Sequence, residues 1–247
     1  MRPFKAMFKT ELKLSLRGMD MFIFAICLPV VMVVVLGIIY GRKPAFEGAE
    51  YTFLEQSFAA LSTISICAGG VMGLPLLISD YRHKKILKRF QVTPVRPIMI
   101  LAVHIAIYAF YSIASLTLIY GTAKAFFGYR MNGSLVSFLI SFLFVMLSMF
   151  SIGVMVGGIA PNTKAASIAA SLLYFPMLIL SGATLPYEVM PAALKKASDV
   201  LPLTQGIKLL KAASLGLPME HVAFSIMIMA ALLVLCMGIS LKFFRWE

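Results

Sequence analysis

Charge is scarce in this sequence. Aspartate, glutamate, lysine and arginine make up only 13% of its 247 residues, whereas hydrophobic residues make up 61% and the mean hydropathy is +0.94. Soluble globular domains are about 25% charged and about 45–50% apolar. Such a composition excludes a water-soluble domain and an intrinsically disordered chain. The sequence therefore predicts an integral membrane protein.

Catalytic and nucleotide-binding motifs are missing as well. No G-x-x-x-x-G-K-[ST] pattern occurs, so the chain is not predicted to bind ATP through a P-loop. The patterns H-E-x-x-H and G-x-S-x-G are also absent. The three cysteines lie inside apolar runs, where small packing residues are expected, and no cysteine–histidine cluster has metal-ligand spacing. We therefore expect no catalytic residue, metal or cofactor in this chain.

The sequence does contain six long apolar runs. Each has at least 20 residues, about the number that a helix needs to cross the hydrocarbon core. They do not alternate as the strands of a membrane β-barrel would. The predicted fold is an all-α integral membrane protein, a single transmembrane domain over residues 1–247. The predicted spans are Met21–Tyr40, Phe58–Ser79, Ile98–Tyr120, Ser134–Ala160, Ala165–Leu185 and Val222–Leu241.

These predicted spans contain no aspartate, glutamate, lysine or arginine. Ionisable residues inside the membrane mark proton relays, ion-coupled carriers and membrane enzymes. Their absence argues against a carrier driven by protons or sodium. His104 is the one imidazole in the spans, and we interpret it as a packed, hydrogen-bonded residue rather than a relay.

The basic residues predict the orientation of the chain. Of the 22 lysine and arginine residues, 14 lie on the side of the N-terminus and the rest on the opposite side. The positive-inside rule therefore predicts a multi-pass protein of the cell membrane with both termini in the cytosol. The net charge of +12 arises from residues that cluster between apolar runs, so no nucleic-acid partner is expected.

Residues 1–18 are predicted to form an interfacial amphipathic helix. Phe4, Phe8, Leu12 and Leu16 recur every four residues, with a lysine or arginine beside each. Such a helix lies flat at the cytosolic interface, with its apolar face in lipid and its basic face on anionic headgroups. The alternative is a basic tail without a further role.

Two segments between the spans carry further patterns. Residues 80–97 hold six basic residues interleaved with apolar ones, which favours a short cytosolic helix that docks a soluble partner over an ordinary basic loop. Residues 186–221 form a long outward loop. Within it Leu203, Ile207 and Leu210 share one helical face, which predicts a short amphipathic helix that lies on or dips into the outer leaflet.

The order of these elements, together with two sequence stretches, resembles the permease subunit of ABC-2 type transporters. After span 2, Asp80 begins a charged run that ends in LKRFQVTPV. Further on, Ser181–Lys211 reads SGATLPYEVMPAALKKASDVLPLTQGIKLLK, with the Ser-Gly, Leu-Pro, Met-Pro and Leu-Pro-Leu-Thr steps of this family. Lys85–Ile86 stands where members commonly have Gly-Thr, and His83 stands where an acidic residue is frequent.

The resemblance implies partners that supply the energy and the other half of the pathway. A separate cytosolic ATPase subunit would bind ATP and Mg and dock on residues 80–97. A second copy, or a related permease, would face this chain within the membrane lipid, and substrate would pass along spans 2 and 5. The implied ATPase contacts are Asp80, Arg82, Lys84, Leu87, Lys88, Arg89, Phe90 and Pro94. The implied outward gate comprises Ser181, Gly182, Leu185, Pro186, Pro191, Leu201, Pro202 and Leu203.

A pathway without charge suits a hydrophobic or amphipathic cargo, because an unpaired charge in lipid is costly. We expect export of a drug, antibiotic or lipid-like peptide, in resistance or immunity. One alternative is a polysaccharide or lipid-linked glycan exporter, for which Tyr108, Tyr111 and Tyr120 in span 3 would supply aromatic residues along the pathway. Another is a membrane scaffold or sensor that binds a cytosolic partner without transport.

Overall fold

The computed structural model describes residues 2–41, 43–45, 49, 51–86, 97–182, 190–218 and 222–243. Within these residues the fold is all-α, and six helices are long and apolar enough to cross a membrane. The predicted fold class is therefore confirmed. The six spans are Ile23–Tyr40, Phe53–His83, Pro97–Phe127, Leu135–Ile159, Thr163–Leu180 and Ala223–Phe243. An N-terminal helix, Arg2–Gly18, precedes them, and two short helices, Ala192–Asp199 and Pro202–Leu215, lie between spans 5 and 6.

Span 2 is longer than the sequence analysis predicted, and its extra turns carry charge. At its start, Thr52 and Glu55 form a capping box: the Thr52 N–H donates to Glu55 Oε2 at 2.8 Å, and the Glu55 N–H donates to Thr52 Oγ1 at 3.2 Å. At its end the helix continues through Arg82. Glu55 and Arg82 are both buried. The predicted span Phe58–Ser79 itself contains no charged residue, so these charges lie in the turns by which the helix extends beyond it. Glu55 and Arg82 each have a hydrogen-bond partner there.

Span 2 is also the centre of the bundle. In an apolar stretch of 18 residues within span 2, 83% of the residues are buried. In the corresponding stretches of spans 1, 5 and 6, only 22–28% are buried. Spans 1, 3, 4 and 5 and the second short helix all pack against it. Spans 1, 5 and 6 thus turn most of their apolar surface outward, as helices exposed to lipid or to another subunit do.

Small residues bring spans 2 and 4 into backbone contact. A Cβ at Gly153 would collide with the carbonyl oxygen of Gly70, and a Cβ at Gly157 would lie 2.9 Å from the Pro75 Cα. Gly70 belongs to a π-helical segment of span 2, Ala68–Gly73. Gly153 and Gly157 have the small-xxx-small spacing that lets helix backbones approach closely in lipid, and the pair forms such a close-packing site here.

The N-terminal helix packs on the bundle through its apolar stripe. Phe4, Phe8 and Leu12 are half-buried against the core, and the helix lies along span 3. Lys5 and Lys9 are exposed on its other side. The predicted amphipathic helix is present, but much of its apolar stripe faces protein where lipid was expected. Its position at a membrane interface stays a prediction.

Candidate transport and coupling sites

The bundle has two ends, which carry different kinds of site. One end, here called the N-terminal face, holds the N-terminal helix, the end of span 2 and the short connection between spans 4 and 5. The opposite end, the far face, holds the connections between spans 1 and 2 and between spans 3 and 4, and the two short helices. Contacts fix this division: Tyr81 reaches Glu11 at the N-terminal face, and the Gly133 N–H donates to the Ser214 carbonyl at the far face.

At the N-terminal face, Arg82 ties span 2 to span 4. Its Nη1 donates to the carbonyl oxygens of Gly157 at 3.1 Å and Ala160 at 2.7 Å, where span 4 ends. The last carbonyls of a helix have no partner within the helix, and the negative end of the helix dipole favours a cation there. The guanidinium therefore stabilises the end of span 4. Arg82 does so from within residues 80–97, the segment predicted to dock an ATPase and here called the coupling segment.

The structure places only part of the predicted ATPase contact. Asp80 and Lys84 form an ion pair of 2.8 Å on the surface, and Arg82 is buried behind them. Leu87, Lys88, Arg89, Phe90 and Pro94 lie outside the described residues. Contact of all eight residues with an ATPase stays a prediction.

A second polar junction fixes the N-terminal helix to spans 2 and 3. The Tyr81 hydroxyl donates to Glu11 Oε2 at 3.1 Å and lies 3.3 Å from His104 Nε2, which is itself 3.5 Å from Glu11 Oε2. His104 Nδ1 lies 2.9 Å from the Ile100 carbonyl oxygen. His104 is buried and hydrogen-bonded, in agreement with the interpretation as a packed residue. Because Tyr81 belongs to the coupling segment, this junction links the start of that segment to the N-terminal helix.

At the far face, the second short helix is buried inside the bundle. Leu203 and Leu210 are buried as the apolar spacing indicated, but so are Thr204 and Gln205. The helix packs among spans 2, 4 and 6. Lys208 and Lys211, which were expected to turn away from the apolar face, are only half-buried. The helix thus packs into the bundle on one side, and its position at the outer leaflet stays a prediction. Gln205 is tolerated inside because its Oε1 accepts from Ser225 Oγ at 2.8 Å and its Nε2 donates to the Asp199 carbonyl.

The described gate residues lie where span 5 ends and where the two short helices begin. Ser181 closes span 5, and Gly182 follows it with a φ of +94°, a conformation that glycine adopts without strain. Pro191 caps the first short helix, and Leu201 and Pro202 begin the second. Leu185 and Pro186 lie outside the described residues. A gating role for any of the eight stays a prediction.

A cavity of about 670 Å³ opens at the far face between these elements. Its wall is formed by the start of span 2, the end of span 5, both short helices and the start of span 6. The wall combines apolar side chains with hydrogen-bonding and charged ones. The lining residues are Gln56, Ser57, Ala60, Ser181, Gly182, Lys195, Thr204, Ile207, Lys208, Lys211, Ala212, Leu217, Pro218 and Val222. Such a space suits a molecule that carries both apolar and polar groups.

Comparison with known families decides the identity of this architecture. The sequence profile of the ABC-2 type transporter family matches residues 2–215, which is most of the chain. The chain belongs to the ABC-2 type transporter family. It is a multi-pass membrane protein of the permease type, and the family resemblance found in the sequence is confirmed.

Individual curated relatives match the ABC-2 chain over shorter stretches. Nodulation protein J of Rhizobium leguminosarum bv. viciae is 30% identical over 99 residues, which cover 40% of this chain and 38% of the relative. Nodulation protein J of Neorhizobium galegae is 33% identical over 98 residues, covering 40% and 35%. The match thus spans less than two fifths of either relative, and the similarity concerns part of the permease.

A smaller polar cavity on the far face of the permease was not predicted from the sequence. It has a volume of about 440 Å³ and is lined by Glu55, Lys124, Tyr129 and Arg130, among others. Burial raises the pKa of the Tyr129 hydroxyl, and the negative charge of Glu55 raises it further. The Thr52-x-x-Glu55 spacing of a capping box was the signal that could have extended span 2 to this cavity.

No site for a metal emerges from the described ranges, in which no group of three histidine, cysteine or acidic side chains comes together. Cys27, Cys67 and Cys236 are free thiols. The expectation that ATP and Mg are held by a partner subunit stays a prediction.

Proposed function

We propose that this chain is the membrane-spanning permease of an ABC exporter and releases a hydrophobic or amphipathic compound at its far face. A separate ATPase subunit docks on residues 80–97 and supplies the energy. The observation that carries this proposal is that the two faces of the bundle hold different sites. The far face has a cavity with both apolar and polar side chains. At the N-terminal face, Arg82 and Tyr81 anchor the coupling segment to spans 3 and 4 and to the N-terminal helix. Movement of that segment would displace several helices together.

The proposed orientation places the N-terminal face in the cytosol. In the described residues this face exposes Lys5, Lys9, Lys13, Arg17, Lys84 and Lys85. Positive charge is retained on the cytosolic side during insertion. The cavity of 670 Å³ then opens outside the cell, which is the direction of export.

Cysteine labelling tests this orientation. Lys196→Cys on the first short helix is expected to react with a membrane-impermeant maleimide in intact cells, because Lys196 is exposed at the far face. Lys9→Cys on the N-terminal helix is expected to react only after permeabilisation. The unmodified chain, with its three native thiols, sets the background. Labelling in the reverse order would invert the topology and contradict export.

The docking of an ATPase is tested through Phe90. Hydrophobic anchors buried in a partner usually contribute about 2 kcal/mol or more each, whereas exposed ion pairs contribute under about 1 kcal/mol. We therefore expect Phe90→Ala to lose the ATPase that co-purifies with the tagged wild-type chain, and Lys88→Ala to retain most of it. Substrate-stimulated ATP hydrolysis should fall with the co-purified subunit, and the chain purified alone should hydrolyse no ATP. Loss of the ATPase from Lys88→Ala alone would show that the segment docks through charge.

Glycan export is the second candidate function. The cavity at the far face carries hydrogen-bonding side chains, which a sugar headgroup requires. The tyrosines that suggested a pathway for glycans lie elsewhere: Tyr108 packs against Gly69 and Gly73, and the Tyr111 hydroxyl donates to Ser15 Oγ at 3.0 Å. Support for glycan export therefore comes from the polar groups of the cavity and not from an aromatic pathway.

A further inference from the structure

The smaller far-face cavity, of about 440 Å³, holds charges of both signs that are not paired with each other. Glu55 lines it from the start of span 2, and Lys124 and Arg130 line it from the end of span 3 and the connection that follows. Glu55 is buried, whereas the two basic residues are exposed. Among the described residues, Glu55 forms no salt bridge with either of them. Opposite charges that line one cavity without meeting are complementary to a ligand that carries both signs.

The Glu55 carboxylate can accept a further hydrogen bond. Its Oε2 accepts from the Thr52 N–H at 2.8 Å, which caps span 2. Within the described part of the chain, the carboxylate accepts no second bond. An ionised carboxylate has about four lone-pair sites on its two oxygens, and an ammonium group has three donors. An ammonium is therefore the ligand group that suits Glu55 best, because it supplies both the opposite charge and the donors.

Tyr129 adds a hydroxyl to the same wall of the cavity. Its ring stacks on Phe58 with the centroids 4.4 Å apart and meets Tyr120 edge-on at 5.9 Å, and these contacts hold the side chain in the bundle. Burial raises the pKa of the hydroxyl and the charge of Glu55 raises it further, as expected for a hydroxyl close to that carboxylate. The hydroxyl is buried and has no hydrogen-bond partner among the described residues. Buried polar groups nearly always have a partner, so this hydroxyl is available to a ligand in the cavity.

The position of the cavity places it beside lipid headgroups. Its walls are the end of span 1 at Gly41, the start of span 2 and the end of span 3. The ends of spans lie where the hydrocarbon core meets the headgroup region. In the last turns of spans 1 and 3, next to these walls along the chain, Ile38, Ile39 and Phe126 are exposed. These apolar side chains offer a surface for acyl chains beside a cavity that suits a charged group.

We propose that the smaller far-face cavity binds the phosphoethanolamine headgroup of a membrane lipid, with its ammonium on Glu55 and its phosphate on Lys124 and Arg130. The Tyr129 hydroxyl donates to a phosphate oxygen. An anionic headgroup without an ammonium leaves the Glu55 carboxylate facing negative charge, and a choline headgroup offers it no N–H donor. This cavity shares no lining residue with the cavity of 670 Å³, so the proposal is independent of the transported substrate and of the proposed function.

Lipid titration followed by native mass spectrometry tests the proposal. The purified full chain in a neutral detergent is titrated with phosphatidylethanolamine or with phosphatidylglycerol of the same acyl chains. We expect the first bound phosphatidylethanolamine to have an apparent Kd about tenfold lower than that of phosphatidylglycerol, because only the former carries the ammonium. Glycerophosphoethanolamine has the headgroup without the chains. It should displace the lipid only at about a hundredfold higher concentration or more, since the chains contribute apolar contact.

Matched variants separate the two halves of the headgroup. Glu55→Gln should weaken phosphatidylethanolamine about tenfold and leave phosphatidylglycerol unchanged or tighter, and glutamine still caps span 2. Lys124→Gln and Arg130→Gln should each weaken both lipids by about three- to fivefold, because both lipids carry the phosphate. Tyr129→Phe keeps the ring and should weaken both lipids about threefold. Lys196→Gln, an exposed basic site on the far face outside this cavity, should change neither lipid.

The unfolding midpoint in lipid-free detergent serves as the control for folding, and Glu55→Gln should leave it unchanged. Equal binding of the two lipids by the wild-type chain would overturn the proposal, as would a preference for phosphatidylethanolamine that persists in Glu55→Gln. Binding that ignores both Lys124→Gln and Arg130→Gln would contradict the phosphate contact. Displacement by glycerophosphoethanolamine at the concentration of the lipid itself would assign the cavity to a soluble zwitterion. Because none of these measurements needs the ATPase or transport, their failure leaves the proposed function untouched.

Discussion

Replacing Gly153 by alanine is expected to destabilise the permease more than any other single methyl addition among the described glycines of the spans. The new Cβ would collide with the Gly70 carbonyl oxygen. A backbone oxygen inside a helix cannot rotate away as a side chain can, so spans 2 and 4 would have to separate. Overpacking usually costs about 1–3 kcal/mol, and a backbone collision at the centre of the bundle lies at the upper end of that range.

The matched control for this change is Gly121→Ala in span 3. A Cβ at Gly121 meets nothing within 4 Å, so this substitution only replaces glycine by a better helix former. We expect Gly153→Ala to lower the thermal unfolding midpoint in detergent and to broaden the size-exclusion profile, and Gly121→Ala to leave both unchanged or improved. Equal midpoints for the two variants would show that spans 2 and 4 can separate at no cost, which would contradict the contact.

The sequence predicts the spans well because apolar length is a local property. A run of about 20 apolar residues forms a helix across lipid whatever its neighbours are, since the backbone has no other way to satisfy its polar groups there. The small-xxx-small spacing of Gly153 and Gly157 likewise predicts a close contact. The spacing does not predict which residue each glycine contacts. Gly153 contacts Gly70. Gly69 and Gly73 have the same spacing, but they face Tyr108.

The predictions that fail concern polar residues whose burial depends on partners in other parts of the sequence. Arg82 is read from composition as part of an exposed basic loop, yet it is buried because span 4 ends beside it and presents two carbonyls. Gln205 breaks the amphipathic pattern of the second short helix, yet it is buried because Ser225 and the Asp199 carbonyl meet it. Pairing over such separations is a property of the packed bundle, so periodicity along one helix does not reveal it. The far-face cavity arises in the same way, from residues as distant in the sequence as Gln56 and Val222.

Arg82→Met is expected to have the second large effect on stability. The substitution lies at the N-terminal face, where the ATPase is proposed to dock. Methionine keeps much of the apolar stem and removes the donors to the Gly157 and Ala160 carbonyls. A hydrogen bond from a charged donor is worth about 1.5–3 kcal/mol, and the helix end loses its favourable cation as well. We expect a lower unfolding midpoint and, in the complex with the ATPase, less ATP hydrolysis stimulated by substrate. Arg82→Lys should be intermediate, because an ammonium keeps the charge but lacks the rigid fork that reaches both carbonyls.

Lys84→Met is the matched control for Arg82→Met. Both residues lie at the end of span 2, but Arg82 is buried and Lys84 is exposed. The side chain of Lys84 is 61% exposed and pairs with Asp80 across one helical turn. Exposed pairs of this kind contribute about 0.3–0.5 kcal/mol, so its loss should barely change the unfolding midpoint. If the two variants unfold together, the bonds from Arg82 to the end of span 4 contribute nothing to stability. If Arg82→Met unfolds early yet its complex with the ATPase keeps full stimulation, Arg82 holds the fold alone, and motion of the coupling segment must reach the bundle through Tyr81 and Glu11.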